Sequence, residues 1–232
     1  MFSSLADTGL SILTLSAQQH NILNALMIDD IVEMMTREEW TCHRCGVHLP
    51  QMMEVDHLKG HALSGTSGIM PICQFCHDLK HPVWASSRDR LTAIHAPDFS
   101  QEELTQLCWV ILLHLNDEEM TFDIKKLRRE MTSRKEDAVD ALGHGNMEAV
   151  IEGIQALMDT RGKDAVLPIL SEIDSEIKIV PSLIFNEDPK IQSWSDGGFV
   201  GVDGAWRTHA RPSGLAPSDV IRKAGESLLS RL

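Results

Sequence analysis

The residues of this chain best suited to chemistry are four cysteines arranged in two Cys-x-x-Cys pairs. The first pair is Cys42 and Cys45, and the second is Cys73 and Cys76. Each pair places two thiols on a tight turn, and together they supply the four soft ligands of a closed tetrahedral zinc site. In a secreted chain such pairs would indicate disulfides, whereas in a reducing cytosol they indicate metal ligation. We therefore predict a structural zinc, which has no open coordination position for catalysis.

A second group of metal-ligating residues accompanies the cysteines. Asp56 and His57 lie between the two pairs, and the second pair continues as Cys76-His-Asp-Leu-Lys-His81. This order predicts a strand that ends in Asp-His, then a loop, then a helix on which His77 and His81 lie one turn apart. Because they share one helix face, both imidazoles can reach a single ion, which predicts a second metal-binding site. The alternative for each residue is structural, as a surface pair, a hydrogen bond of the cysteine turn, or an exposed histidine.

Over about residues 37–84 this order of residues resembles the HNH nuclease superfamily. The resemblance implies that Asp56, His77 and His81 bind the catalytic metal and that His57 is the general base that activates water. Such chemistry needs a dication at the scissile phosphate and an imidazole that accepts a proton near neutral pH. Gly68 stands at the position where the family carries an asparagine. Because glycine has no side chain to orient an imidazole, this departure puts turnover in doubt.

The elements around these residues indicate an α+β fold that is mainly helical, with a small ββα HNH-like zinc module. We divide the chain into an N-terminal helical segment (residues 1–36), the zinc module (37–90), a helical region (91–194), and a Gly-rich linker with a C-terminal amphipathic helix (195–232). Ser100 and Glu103 form a capping-box pattern before a buried helix that carries Cys108, and Asn146 is the predicted N-cap of a later helix. Pro168 is expected to weaken a helix near residues 164–173.

The charge of the chain argues against broad binding to nucleic acid. The net charge is −13 at pH 7, and segment by segment it is −4 over residues 1–36, zero over 37–90, −10 over 91–194 and +1 over 195–232. An acidic chain repels phosphates, so DNA contact would need a local basic surface. The first 36 residues contain no Lys or Arg, and the longest apolar run is far shorter than a membrane span. These features predict a cytoplasmic protein without membrane insertion.

The chain also resembles the IcmJ (DotN) family of type IVB secretion and conjugation systems over about residues 38–194. Three segments carry the likeness, namely Trp40-Thr-Cys-His-Arg-Cys-Gly46, Phe99-Ser-Gln-Glu-Glu-Leu-Thr-Gln-Leu-Cys-Trp-Val-Ile-Leu-Leu113 and Glu176-Ile-Lys-Ile-Val-Pro181, which precedes Trp194. The resemblance implies an HNH-like zinc fold used as a scaffold, located in the cytoplasm beside an inner-membrane complex. It implies, as partner, the C-terminal region of the coupling ATPase. The alternative function is a metal-dependent HNH endonuclease acting on DNA.

Overall fold

The computed structural model describes residues 28–49, 53–58, 68–114 and 124–186. Over these residues the predicted α+β class is confirmed, with helices surrounding two small antiparallel sheets. The first element, helix α1 (Ile28–Arg37), packs through Met34 and Met35 against Val55 and Ile69. Val32 on the same helix points outward and is 55% exposed.

The first sheet is a pair of strands followed directly by a helix. Strand β1 (Met53–His57) runs antiparallel to β2 (Ile69–Cys73), with Met53 opposite Cys73 and His57 opposite Ile69. The chain continues into α2 (Gln74–Lys80) and, after one residue, α3 (Pro82–Ser86). Pro82 begins α3, a position where its missing N–H costs no helical hydrogen bond. This arrangement places the open end of the hairpin, where Met53 lies opposite Cys73, at the second cysteine pair.

A second sheet joins distant parts of the sequence and was not predicted. Strand β3 (Leu91–His95) runs antiparallel to β4 (Ile177–Pro181), with Leu91 opposite Pro181. Helix α4 (Gln101–His114) lies between them in sequence, and the Gln101 side chain donates to the carbonyl of Ile179 and accepts from its N–H. Gln101 therefore ties the start of α4 to strand β4.

The predicted capping box at the start of α4 is confirmed. The Ser100 hydroxyl accepts from the Glu103 N–H at 3.1 Å, and the Glu103 carboxylate accepts from the Ser100 N–H at 2.9 Å. Each side chain thus satisfies a backbone donor that the first turn of a helix leaves open. Cys108 on this helix is completely buried, as predicted for a core thiol, and burial raises its pKa.

Three longer helices follow, α5 (Ile124–Leu142), α6 (Met147–Arg161) and α7 (Lys163–Glu176), and a short 3-10 helix (Ser182–Phe185) comes after β4. The predicted N-cap of α6 is confirmed, since the Asn146 side chain accepts from the N–H groups of Glu148 and Ala149. The helix predicted near residues 164–173 forms, and α7 runs through Pro168, which lies beyond its first turn. Buried Val166 and Leu170 pack α7 into the core on either side of it, which offsets the lost hydrogen bond.

The apolar core brings the cysteines and the helical region together. All four cysteines share one cluster with apolar residues of α4 and with Ile124, Leu127 and Met131 of α5. A second cluster lies between the β3–β4 sheet and helices α6 and α7. None of the helices within the described ranges combines the length and apolar character needed to cross a bilayer. Most of the predicted N-terminal helical segment and the predicted Gly-rich linker and C-terminal helix lie outside the described residues.

Candidate metal centre

The first cysteine pair lies on a turn closed by backbone hydrogen bonds. The Cys42 N–H donates to the Val47 carbonyl at 2.9 Å, and the Gly46 N–H donates to the Cys42 carbonyl at 2.9 Å. Gly46 has φ of +73°, a left-handed conformation that glycine adopts without steric cost. This turn brings the side chains of Cys42 and Cys45 to the same side of the backbone.

The second cysteine pair lies where the hairpin becomes a helix. Cys73 is the last residue of β2, and Cys76 lies in the first turn of α2. The His43 N–H donates to the Pro71 carbonyl at 3.0 Å, which holds the first turn against β2. Two local structures, each formed by a short segment, are thereby placed face to face.

The four sulfur atoms form a compact, buried group. They all lie within 4.8 Å of one another, and the Sγ atoms of Cys45 and Cys73 are 3.7 Å apart. A disulfide requires about 2.05 Å, so this pair is not bonded. A zinc tetrahedron with Zn–S bonds of about 2.3 Å has S···S edges of about 3.8 Å. The group could therefore hold a metal ion, and its spacing is compatible with zinc.

The electrostatics of this group favour a cation among the sulfurs. Hydrogen bonds from the three other cysteines lower the pKa of Cys42, whereas burial raises the pKa of Cys73. Neighbouring Cys42 and Cys45 likewise raise the pKa of Cys76. Four buried thiols at this distance do not all ionise together unless a positive charge lies between them. A bound dication supplies that charge, and its binding releases the protons of the thiols that ionise.

Asp56, a predicted ligand of a second metal, is engaged by two basic side chains of the protein. It is buried, and its Oδ2 lies 2.7 Å from Nε2 of His43. Its Oδ1 accepts from the ammonium of Lys80, which also donates to the carbonyl of His57 at 2.9 Å. Burial by itself would raise the pKa of Asp56, but the hydrogen bonds and charges of His43 and Lys80 lower it below the usual range. Asp56 therefore stays ionised, with the Lys80 ammonium and the His43 imidazole beside it.

The histidines predicted to share that metal have different surroundings. His77 is buried, and its Nδ1 lies 2.6 Å from Oε2 of Glu54. Burial lowers the pKa of His77 to about 3, so its imidazole is neutral near pH 7 and Nδ1–H donates to Glu54. His81 is the C-cap of α2, one residue beyond its end at Lys80, and its N–H still donates to the His77 carbonyl at 3.1 Å. The predicted spacing of one turn is therefore kept, although His81 itself lies outside the helix. The two rings nevertheless approach edge to face, with centroids 5.1 Å apart.

The structure brings the four cysteines together and leaves the second predicted site unassembled. Among the described residues, Cys42, Cys45, Cys73 and Cys76 are the only set of three or more His, Cys, Asp or Glu ligands close enough to hold one ion. Asp56, His77 and His81 do not form such a set. The Asp56 carboxylate is directed to His43 and Lys80, and the His77 imidazole is directed to Glu54. His57, the predicted general base, is only 3% exposed. Gly68, at the position where the HNH family carries an asparagine, contributes its backbone carbonyl, which accepts from the Leu58 N–H at 2.9 Å.

His43, Glu54 and Lys80 shape this region and were missed by sequence reasoning. A signal for two of them exists, because Glu54 and Asp56 alternate on β1 and therefore face the same side of the sheet. His77 and Lys80 are three residues apart on α2 and also share a face. Two acidic side chains on one face of the strand, and an imidazole and an ammonium on one face of the helix, indicate a network between strand and helix. No comparable pattern marks His43.

Compared with known proteins, the sequence matches no protein-family model and no curated protein. The fold and the site define an α+β protein with a buried four-cysteine centre that could bind a metal ion.

Proposed function

We propose that this chain is a zinc-bound, non-catalytic component of a type IVB secretion or conjugative coupling complex, where it binds the coupling ATPase. The single observation that carries the non-catalytic part is that the carboxylate of buried Asp56 is already engaged by the Lys80 ammonium and the His43 imidazole. The secretion role is supported by the resemblance of residues 38–194 to the IcmJ (DotN) family.

Zinc is the metal that suits the four-cysteine centre best. Thiolate ligands select soft or borderline ions, and a closed tetrahedral set of four cysteines is typical of structural zinc. The ion would be held by Cys42, Cys45, Cys73 and Cys76. It would cross-link the turn that carries the first cysteine pair to the β1–β2 hairpin. Because no ligand position is left open, this ion stabilises the fold and takes no part in a reaction.

The surroundings of Asp56 and His57 argue for a scaffold over a nuclease. A catalytic dication needs open carboxylate and imidazole ligands, but Asp56 already accepts from Lys80 and pairs with His43. A general base must reach water and substrate, whereas His57 is buried. Gly68 also lacks the side chain that the HNH resemblance expects at its position. In this proposal the HNH-like ββα arrangement is retained for its shape and its zinc.

The HNH endonuclease remains the second candidate, and one observation favours it. The rings of His77 and His81 lie close together, 5.1 Å between centroids, and His77 contacts Glu54 of β1. A rearrangement that displaced Lys80 would be required before an ion could join these ligands. This candidate would act on DNA with a divalent cation bound by Asp56, His77 and His81 and with His57 as base.

A paired binding experiment separates the two functions. The full-length chain is tested for capture of the C-terminal region of the cognate coupling ATPase and, in parallel, for binding of duplex DNA at physiological salt. The scaffold proposal expects ATPase capture and weak DNA binding, since acidic surface repels phosphate. Tight DNA binding without ATPase capture would overturn it in favour of the nuclease.

A further inference from the structure

Helix α4 contacts the metal centre although it begins far beyond the second cysteine pair. Two of its residues, Gln106 and Trp109, lie three positions apart and so face the same direction. Trp109 is only 1% exposed and belongs to the same core cluster as the four cysteines. The helix therefore directs a buried indole N–H from Trp109, and a side-chain amide from the exposed Gln106, toward the cysteine site.

The indole of Trp109 donates a hydrogen bond to a predicted metal ligand. Its Nε1 lies 3.4 Å from Sγ of Cys73. The ring is fixed in this orientation by stacking on Phe75, with centroids 4.1 Å apart and planes 18° from parallel. Indole N–H is a donor only, and a buried donor without an acceptor is costly. A thiolate carries negative charge, so it accepts this hydrogen bond more strongly than a neutral thiol does.

Gln106 reaches the other cysteine pair from the same helix. Its side-chain NH2 donates to the backbone carbonyl of Cys45. One face of α4 thus bonds to a residue of each pair, Cys45 through Gln106 and Cys73 through Trp109. The sulfurs of these two cysteines are the ones 3.7 Å apart.

We propose that Trp109 is an outer-shell residue of the metal centre, with Gln106 as its partner, and that metal occupancy is coupled through them to helix α4. Trp109 stabilises the thiolate of Cys73 and holds it at the distance that the metal requires. This inference rests on the metal-binding part of the proposed function and is independent of the secretion role. In this inference helix α4, which belongs to the predicted helical region, is part of the metal centre.

The test compares zinc release and ligand spectroscopy in full-length variants. Trp109→Phe removes the N–H donor, and replacing the indole of Trp109 with benzothiophene removes the N–H while keeping the shape of the ring. Zinc release to a chromogenic chelator is timed, and the sulfur-to-metal charge-transfer band is recorded after cobalt substitution. Leu112→Ala is the matched control, because Leu112 is buried on the same helix and in the same core but has no donor.

We expect both Trp109 variants to bind zinc about tenfold more weakly, the lower end of the usual effect of losing an outer-shell partner. The charge-transfer band should move to lower energy, because a thiolate without its hydrogen bond gives up an electron more readily. Leu112→Ala should lower the stability while leaving the band in place.

Wild-type release rates and band energies in the benzothiophene variant would overturn the inference, even if Trp109→Phe does not fold. An equal band shift in Leu112→Ala would also overturn it. If the wild-type chain binds no zinc, the proposed metal centre itself fails, and this outcome is distinct from the other two.

Discussion

At the residue scale, the positions of the cysteines distinguish four that could hold a metal ion from a fifth that is simply buried. Cys42, Cys45, Cys73 and Cys76 surround one point, whereas Cys108 is equally buried but lies on α4 away from this set. Binding energy at a site that is absent from the unfolded chain becomes folding energy. In the proposed metal centre the four clustered thiols bind the ion and the Cys108 thiol does not, and mutation distinguishes these two roles.

We expect Cys42→Ser or Cys73→Ser to reduce the zinc content from about one ion per chain to near zero. The free energy of unfolding should fall by several kcal/mol, since structural zinc contributes about 10–16 kcal/mol in small zinc domains. Elemental analysis and thermal unfolding measure the two effects. Cys108→Ala is the control and should keep the zinc. Wild-type zinc content and melting temperature in either serine variant would refute the zinc assignment.

Catalytic inactivity is the second prediction at this scale. We expect no cleavage of supercoiled plasmid with magnesium, manganese, nickel or zinc, because Lys80 and His43 engage Asp56 and because His57 is buried. Agarose electrophoresis of the plasmid forms measures the outcome. Cleavage that disappears in His57→Ala would contradict this prediction and establish the nuclease.

The third prediction at this scale concerns the pair formed by Lys80 and Asp56. In Lys80→Met the buried carboxylate of Asp56 loses a charged donor, and we expect the free energy of unfolding to fall by about 1–3 kcal/mol. In the double variant Asp56→Asn/Lys80→Met the negative charge of the carboxylate is removed as well, so part of the lost free energy of unfolding should be recovered. Urea unfolding of the four chains in a double-mutant cycle, with zinc present, gives the coupling. Strict additivity would show that the pair contributes nothing.

At the element scale, helix α4 matters because it joins the capping box to the metal centre. It begins beside Ser100 and carries Gln106 and Trp109 to the cysteines. Its start is also tied to β4 through Gln101. A loss of order in the first turn therefore affects both the second sheet and the cysteine site.

We expect Ser100→Ala to lower the free energy of unfolding by about 1 kcal/mol, the usual cost of losing an N-cap oxygen. The same substitution at Ser133, which is exposed within α5, should change it by less than about 0.5 kcal/mol. Urea unfolding in the presence of zinc measures both variants. Equal effects at the two positions would show that the capping box makes no special contribution.

At the scale of the whole molecule, charge and core are distributed differently. The cysteine module has no net charge, whereas residues 91–194 carry −10. The apolar core nevertheless joins the two parts, since the cysteines pack with α4 and α5. An acidic surface suits a basic or mixed-charge protein segment, and charge complementarity chiefly speeds and orients docking while buried apolar contacts hold the partner.

A truncation before Ser218 tests which part of the chain binds the coupling ATPase. We expect capture of the C-terminal region of the ATPase to survive, because the resemblance to the IcmJ (DotN) family covers only residues 38–194. A pull-down with full-length and truncated chains, together with their melting temperatures, measures this. Loss of capture with an unchanged melting temperature would place the binding surface on the C-terminal segment instead.

The sequence alone determined the features that depend on short spacing or on ligand chemistry. The two Cys-x-x-Cys pairs, the Ser100–Glu103 capping box and the Asn146 cap each involve residues at most three positions apart. Such interactions form within one turn of the backbone, so their geometry follows from the residue types. The burial of Cys108 followed from the apolar periodicity of its helix.

Tertiary structure alone decided the contacts between distant segments. Pairing of β3 with β4 joins Leu91 to Pro181, and Trp109 meets Cys73 across 36 positions. The same holds for Asp56, which pairs with Lys80 at a separation of 24 positions although the HNH resemblance implied that it binds a metal. Many partners of suitable chemistry exist for each of these side chains. The packing of the whole core determines which of them comes within reach. The spacings that place Glu54 beside Asp56 and His77 beside Lys80 indicate a network between strand and helix but do not fix its pairs.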